Sequence, residues 1–180
     1  EMIHLAFPWM NLRHNWMAEG LAVYVESIAR ARAGHIPETQ VWTDFVKAMP
    51  KGLPREGDKG LDLTVTWGRT YWGGALFCLL ADIAIRRESA NRLGLQTALR
   101  AINAARDFRG EHPLRETLAI GDAATGLNVL VAQYDAMRET PVMTDLPELW
   151  RNLGVELEGQ SVQFKNTAPL AGIRAAIIAA

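Results

Sequence analysis

Cysteine is nearly absent: Cys78 is the single one in 180 residues. One thiol forms no intrachain disulfide and excludes a cysteine-built zinc cluster. Flanked by Phe77 and Leu79, it reads as a small buried hydrophobe. An excess of charge of either sign is also lacking. Nineteen Lys and Arg stand against 20 Asp and Glu, a net charge of −1, and no basic run exceeds a pair. Neither a nucleic acid nor a membrane surface is therefore expected as partner. No apolar run approaches the roughly 20 residues of a membrane-spanning helix; the longest covers 75–81. There is no internal repeat and no low-complexity tract. Neither the phosphate-binding G-x-x-x-x-G-K-S/T motif nor a Ser-His-Asp pattern stands out.

What is present suits one globular domain, 1–180. Hydrophobic residues make up 49% and charged residues 22%, enough to bury a core and solvate a surface. Helical spacing dominates. A helix is expected over 16–33, with Met17, Leu21, Tyr24, Val25 and Ile28 on one face, Asn15 as N-cap and Gly34 as its stop. A second is expected over 38–49. The stretch 50–60, with two prolines and three glycines among charges, reads as a loop. Alternating Leu61, Leu63 and Val65 suggest a short extended segment. A helix over 70–89 is apolar nearly all round apart from Asp82, which Arg86 can pair with one turn later. Further helices are expected over 95–106, 113–120, 123–138, 144–154 and 169–178, with Asp122 capping the one from Ala123. A small hairpin is expected from 155–157 and 161–165 around Glu158-Gly159-Gln160. The expected class is all-α, a multi-helix bundle with at most one β-hairpin.

The chemistry concentrates in 1–26. Glu1 and His4 have the spacing E-x-x-H, the second half of H-E-x-x-H. On a helix, that motif sets two histidines one turn apart on one face, where both reach one zinc ion. The glutamate between them lies beside the position left for water and can take its proton. Such a site needs a third protein ligand. Glu19 is the candidate, 15 residues after His4, in the first turns of the next helix. Taken alone, Glu19 also fits a solvated helix residue, and His4 an ordinary surface or core histidine. His14, just before that helix, is a conceivable substitute ligand. His35 follows a helix-ending glycine and His112 precedes a proline, so both read as non-catalytic.

The combination resembles the gluzincin metallopeptidases: Glu1-x-x-His4, a short loop, then Trp16-Met17-Ala18-Glu19-Gly20-Leu21-Ala22-Val23-Tyr24. A later block, Arg69-Thr70-Tyr71-Trp72-Gly73-Gly74-Ala75-Leu76 with the helix that follows, is similar to a second segment of that clan. The likeness is greatest to the glycyl aminopeptidase family and more distant to the aminopeptidase-N family. It spans most of the chain, but the specific motif residues lie in the first third. The resemblance implies Glu1 as general base, His4 as the second zinc histidine and Glu19 as the third ligand. It implies Tyr71 as the hydroxyl that stabilises the oxyanion, a role suited to a phenol donor beside a Lewis acid. Read from its position alone, Tyr71 is equally an aromatic packing at a helix start.

Three departures matter. The first zinc histidine would precede Glu1. The interval from His4 to Glu19 is shorter than in the aminopeptidase-N family. Gly73 stands where a lysine is usual. The resemblance implies a fold like the C-terminal lobe of a thermolysin-like catalytic domain, with zinc bound between it and a preceding sheet-bearing lobe. Because two protein ligands fall short of a catalytic zinc site, this chain alone is expected to bind zinc weakly or not at all and to be inactive, with peptide hydrolysis belonging to the parent protein. Expected partners are a peptide or protein substrate and that preceding lobe, which the Trp9 and Trp16 region would face; an exposed apolar patch there could also drive homodimerisation. The alternative is a non-catalytic helical interaction module on a peptidase-derived scaffold.

Overall fold

A computed structural model describes residues 7–8, 11–105 and 112–179. The all-α expectation holds, with one small hairpin. The described helices are α1 (Asn15–Arg32), α2 (Glu38–Ala48), α3 (Gly74–Glu88), α4 (Leu95–Ala105), α5 (Leu114–Thr125), α6 (Leu130–Met137), α7 (Leu146–Leu153) and α8 (Ala171–Ile178). The hairpin strands, β1 (Val155–Glu158) and β2 (Ser161–Phe164), lie between α7 and α8. They pair antiparallel, Val155 opposite Phe164 and Glu158 opposite Ser161. The Val162 amide donates to Thr43 Oγ1 (3.0 Å), which ties the hairpin to α2.

α3 is the centre of the bundle. Ala75, Phe77, Cys78, Leu79, Ala81 and Ile85 are fully buried on it, and the aromatic layer of Tyr24, Trp42 and Phe45 packs from α1 and α2. Asp82 is its one buried carboxylate. It accepts from Tyr24 Oη (2.8 Å), Arg86 Nε (2.9 Å) and the Leu95 amide (2.9 Å), so the expected pairing with Arg86 forms and the same group anchors the start of α4. Burial and the Asp82 charge push the Tyr24 hydroxyl well up from its ordinary value, and burial does the same to the Cys78 thiol. Cys78 is thus an inert core residue, not a nucleophile.

α1 and α3 cross backbone to backbone. A Cβ on Gly20 would lie 2.2 Å from the Gly74 carbonyl carbon, and one on Gly74 would lie 2.0 Å from the Trp16 oxygen. Only glycines allow that approach.

Several expected details differ. Asn15 is the first residue of α1 rather than its cap; Asn11 instead caps the short 3₁₀ turn Leu12–His14 through Arg13 N (2.9 Å). Residues 61–66 do not form a strand. The Leu61 and Asp62 amides donate to Met137 and Arg138 oxygens at the end of α6, and the Leu63 and Thr64 amides turn back onto Gly60. With those donors used by a helix terminus, no partner strand is needed, and Val65 is left 82% exposed. Asp122 does not start a helix: α5 runs through it to Gly126, whose φ of +69° ends the helix. Its carboxylate reaches forward and accepts from the Val129, Leu130 and Val131 amides (3.1, 2.9 and 2.9 Å), capping α6.

Candidate active site

Of the four residues singled out for catalysis and zinc binding, Glu19 and Tyr71 are described; Glu1 and His4 lie outside the described residues. Glu19 is half-buried in the second turn of α1, one residue before the Gly20 crossing. Tyr71 is half-buried in a six-residue π-helix, Gly68–Gly73, that runs directly into α3. The Gly74 amide donates to the Arg69 oxygen, five residues back. Such wide turns inside helices are rare and recur at functional sites, because they rotate a side chain out of the regular helical register.

The π-helix is held on two sides. Gly74, its C-cap, sits on Gly20 of α1. On the other side is the 3₁₀ turn Met49–Gly52, where a Cβ on Gly52 would lie 2.3 Å from Gly73 N. Arg69 locks this second contact by donating from Nη1 to the Gly52 oxygen (2.6 Å). The segments carrying Glu19 and Tyr71 are thereby fixed against each other by backbone contacts. The Tyr71 ring stacks on Trp67, centroids 5.7 Å apart at 29°.

A polar cluster stands at the entry to α1. Asp62, 4% exposed, accepts from His14 Nδ1 (3.0 Å), Trp16 Nε1 (2.8 Å) and Tyr134 Oη (2.8 Å), with Arg13 Nε at 3.4 Å. Burial acts to raise the carboxyl, but the hydrogen bonds from His14, Trp16 and Tyr134 outweigh it and hold the group below the ordinary aspartate range. Trp16 is consequently buried inside this chain, 3% exposed, and does not contribute to an exposed apolar face; Trp9 lies outside the described residues. His14 has its Nδ1 committed to Asp62. Sequence reasoning missed this cluster, and the alternation of Leu61, Leu63 and Val65 pointed away from it.

The donor chemistry fits zinc in kind. Imidazole and carboxylate are both ligands zinc takes, and His4 and Glu19 would supply one of each. Among the described residues there is no group of three or more His, Cys, Asp or Glu able to hold a metal. No helix among the described residues is long and apolar enough to cross a membrane.

Beside Tyr71 lies a cavity of about 730 Å³, walled by the 3₁₀ turn, the 53–58 loop and the start of the π-helix. Its charged lining residues are Lys51, Arg55, Glu56, Asp58 and Arg69, and Trp67 contributes an aromatic wall. Comparison with family models, with curated proteins and with solved structures returns no match.

Proposed function

We propose that this chain is the helical part of a zinc-dependent peptidase domain, and that the full protein hydrolyses peptide bonds. The observation that best supports this reading is the glycine crossing. It packs the turn of α1 that carries a half-buried carboxylate, Glu19, against the junction of α3 with the π-helix that carries Tyr71, and the sequence keeps the E-x-x-H spacing of Glu1 and His4 ahead of it. In this reading His4 and Glu19 hold the metal together with a histidine preceding Glu1. Zinc, when bound, supplies Lewis acidity to the scissile carbonyl and makes water easier to deprotonate. Glu1 accepts the proton of the attacking water. Tyr71 donates its hydroxyl hydrogen to the carbonyl oxygen as negative charge builds there, which stabilises the transition state more than the ground state. Gly20, Gly74 and Gly52 keep Tyr71 and Glu19 from moving apart, a preorganisation that such a site requires.

The test is zinc stoichiometry and peptide hydrolysis by the full protein, beside Glu1→Gln, Glu19→Ala and Tyr71→Phe. We expect one zinc per chain. Glu1→Gln should keep the metal and lose turnover, and Glu19→Ala should lose the metal. Tyr71→Phe should lower kcat by roughly 10²–10³ with KM little changed, as for loss of one oxyanion donor. A full protein that binds no zinc would overturn the peptidase reading and leave a helical interaction module as the better account.

A further inference from the structure

The wall of the cavity beside Trp67 includes a guanidinium with one unpartnered nitrogen. Arg69 is 3% exposed and forms part of the cavity wall. Its Nη1 serves the Gly52 oxygen. Its Nε lies 2.8 Å from Asp58 Oδ2, an ion pair whose alignment falls short of a hydrogen bond. Its Nη2 is buried with no hydrogen-bond partner among the described residues. Burial lowers the Arg69 pKa, and the Asp58 charge opposes that, so the group stays cationic. A buried donor left unpaired costs about 1–3 kcal/mol, and such a group in a folded protein calls for an explanation.

The surroundings indicate what that is. Arg69 and Asp58 neutralise each other. Of the remaining charged lining residues, Lys51 and Arg55 are exposed cations and Glu56 is the one anion. The cavity therefore has room for one added negative charge. A guanidinium N–H suits a carboxylate, with which it forms a charge-assisted hydrogen bond. The cavity also adjoins the proposed reaction centre: Arg69 is two residues before Tyr71 on the same π-helix, and Trp67, a wall residue, stacks on the Tyr71 ring. Lys51 Nζ lies 5.6 Å from the centre of the Trp67 ring.

We propose that this cavity is a substrate subsite for a peptide carboxylate, with Arg69 Nη2 as the buried donor and Lys51 and Arg55 as the cations at its rim. Nη2 is shielded from solvent, so a carboxylate reaches it only with movement of the side chains around it. The carboxylate is either an acidic side chain or a peptide C-terminus. As a preference for substrate, this inference rests on the peptidase reading; as a binding site, it can be tested without it.

The experiment is titration of zinc-free chain 1–180 with three acetylated tripeptides, followed by calorimetry and NMR shifts of the Trp67 indole. One has a central Glu and an amidated end, one a central Gln and an amidated end, and one is trialanine with a free C-terminal acid. Either acid-bearing peptide should bind about tenfold more tightly than the Gln amide, the yield of one charge-assisted hydrogen bond. Which of the two does so identifies the source of the carboxylate. Lys51→Met and Arg55→Met, at exposed positions that leave the fold intact, should each reduce that preference several-fold. Arg69→Lys should abolish it, with circular dichroism confirming that the variant folds. Equal affinity for all three peptides, or a preference unchanged in Lys51→Met and Arg55→Met, would overturn the proposal. Because the titration uses no zinc and no turnover, carboxylate binding by a full protein that lacks zinc would sink the peptidase reading and leave this site standing.

Discussion

Three neutral or cationic donors and a nearby guanidinium converge on Asp62, and this makes one side chain a hinge between distant parts of the chain. His14 and Trp16 reach it from the entry to α1, and Tyr134 from α6. Replacing it by Asn keeps the shape but leaves one acceptor oxygen where two served, and removes the charge that Arg13 and His14 face. We expect Asp62→Asn to destabilise the fold by about 2–4 kcal/mol in urea denaturation, within the range for breaking a buried charged network. A loss under about 0.5 kcal/mol would show that the donors find other acceptors. The pH dependence has a definite sign. Because the folded-state pKa of Asp62 is lowered, its contribution is complete above the unfolded aspartate value of about 3.9 and disappears as pH falls through the lower folded value. The stability gap between the native chain and Asp62→Asn should therefore narrow as pH falls below about 4. A gap that widens on acidification would contradict this.

At the scale of elements, the decisive contact is α1 on α3. A Cβ at Gly20 would sit 2.2 Å from a backbone carbon and 2.3 Å from Gly74 Cα, so a methyl has nowhere to go unless the helices separate. Gly20→Ala favours helix propensity by about 1 kcal/mol, yet should lower stability by about 2 kcal/mol or more, because overpacking against backbone dominates. On the proposed peptidase function it should also reduce turnover by the full protein, since Glu19 adjoins the displaced residue. Unchanged stability would mean that the two helices do not approach this closely. The same elements show how much could be read from sequence. The apolar stripe of α1, the stop at Gly34 (φ +73°), the short helix within 144–154 and the hairpin were all legible, because each depends on residues within a turn or two. Glu19 and Tyr71 were singled out by the resemblance alone, and their roles belong to the proposed function. The π-helix was not, because its residues keep right-handed helical dihedrals and differ only in which carbonyl each amide chooses. The Asp122 cap was misassigned because its targets lie seven to nine residues onward, past a turn. The Asp62 network joins residues 46 and 72 positions apart, and the Asp58–Arg69 pair forms only once the π-helix lies against the 3₁₀ turn. Such pairings follow from the fold and cannot precede it.

For the whole molecule, the question is whether the helices unfold as one body. The buried residues form one continuous cluster that runs from α1 through the hairpin to α8. α8 is short, but it closes this cluster through several different contacts. Ile177 is fully buried, Arg32 Nη2 donates to its oxygen (2.9 Å), and Arg174 is 4% exposed. Arg174 donates from Nη1 to the Leu153 and Gly154 oxygens (3.2 Å each) and from Nη2 to Asn166 Oδ1 (2.6 Å), while its guanidinium lies 4.2 Å from the Phe164 ring centre. Removing α8 would thus delete Ile173 and Ile177, whose burial is worth about 1.5–3 kcal/mol each. It would also strip the donor from the carbonyls that end α7, adding about 1–3 kcal/mol. For a domain of this size the sum, about 4–9 kcal/mol, is comparable to the total stability of about 5–15 kcal/mol. Truncation after Leu170 should therefore weaken the entire bundle. Far-UV and near-UV circular dichroism should lose their signals in one coincident transition at a much lower urea midpoint, the near-UV signal reporting the buried Trp16 and Trp42 of α1 and α2. If truncation instead removed one helix's worth of far-UV signal and left the near-UV midpoint in place, α8 would be an appended element, and the core would be complete without it.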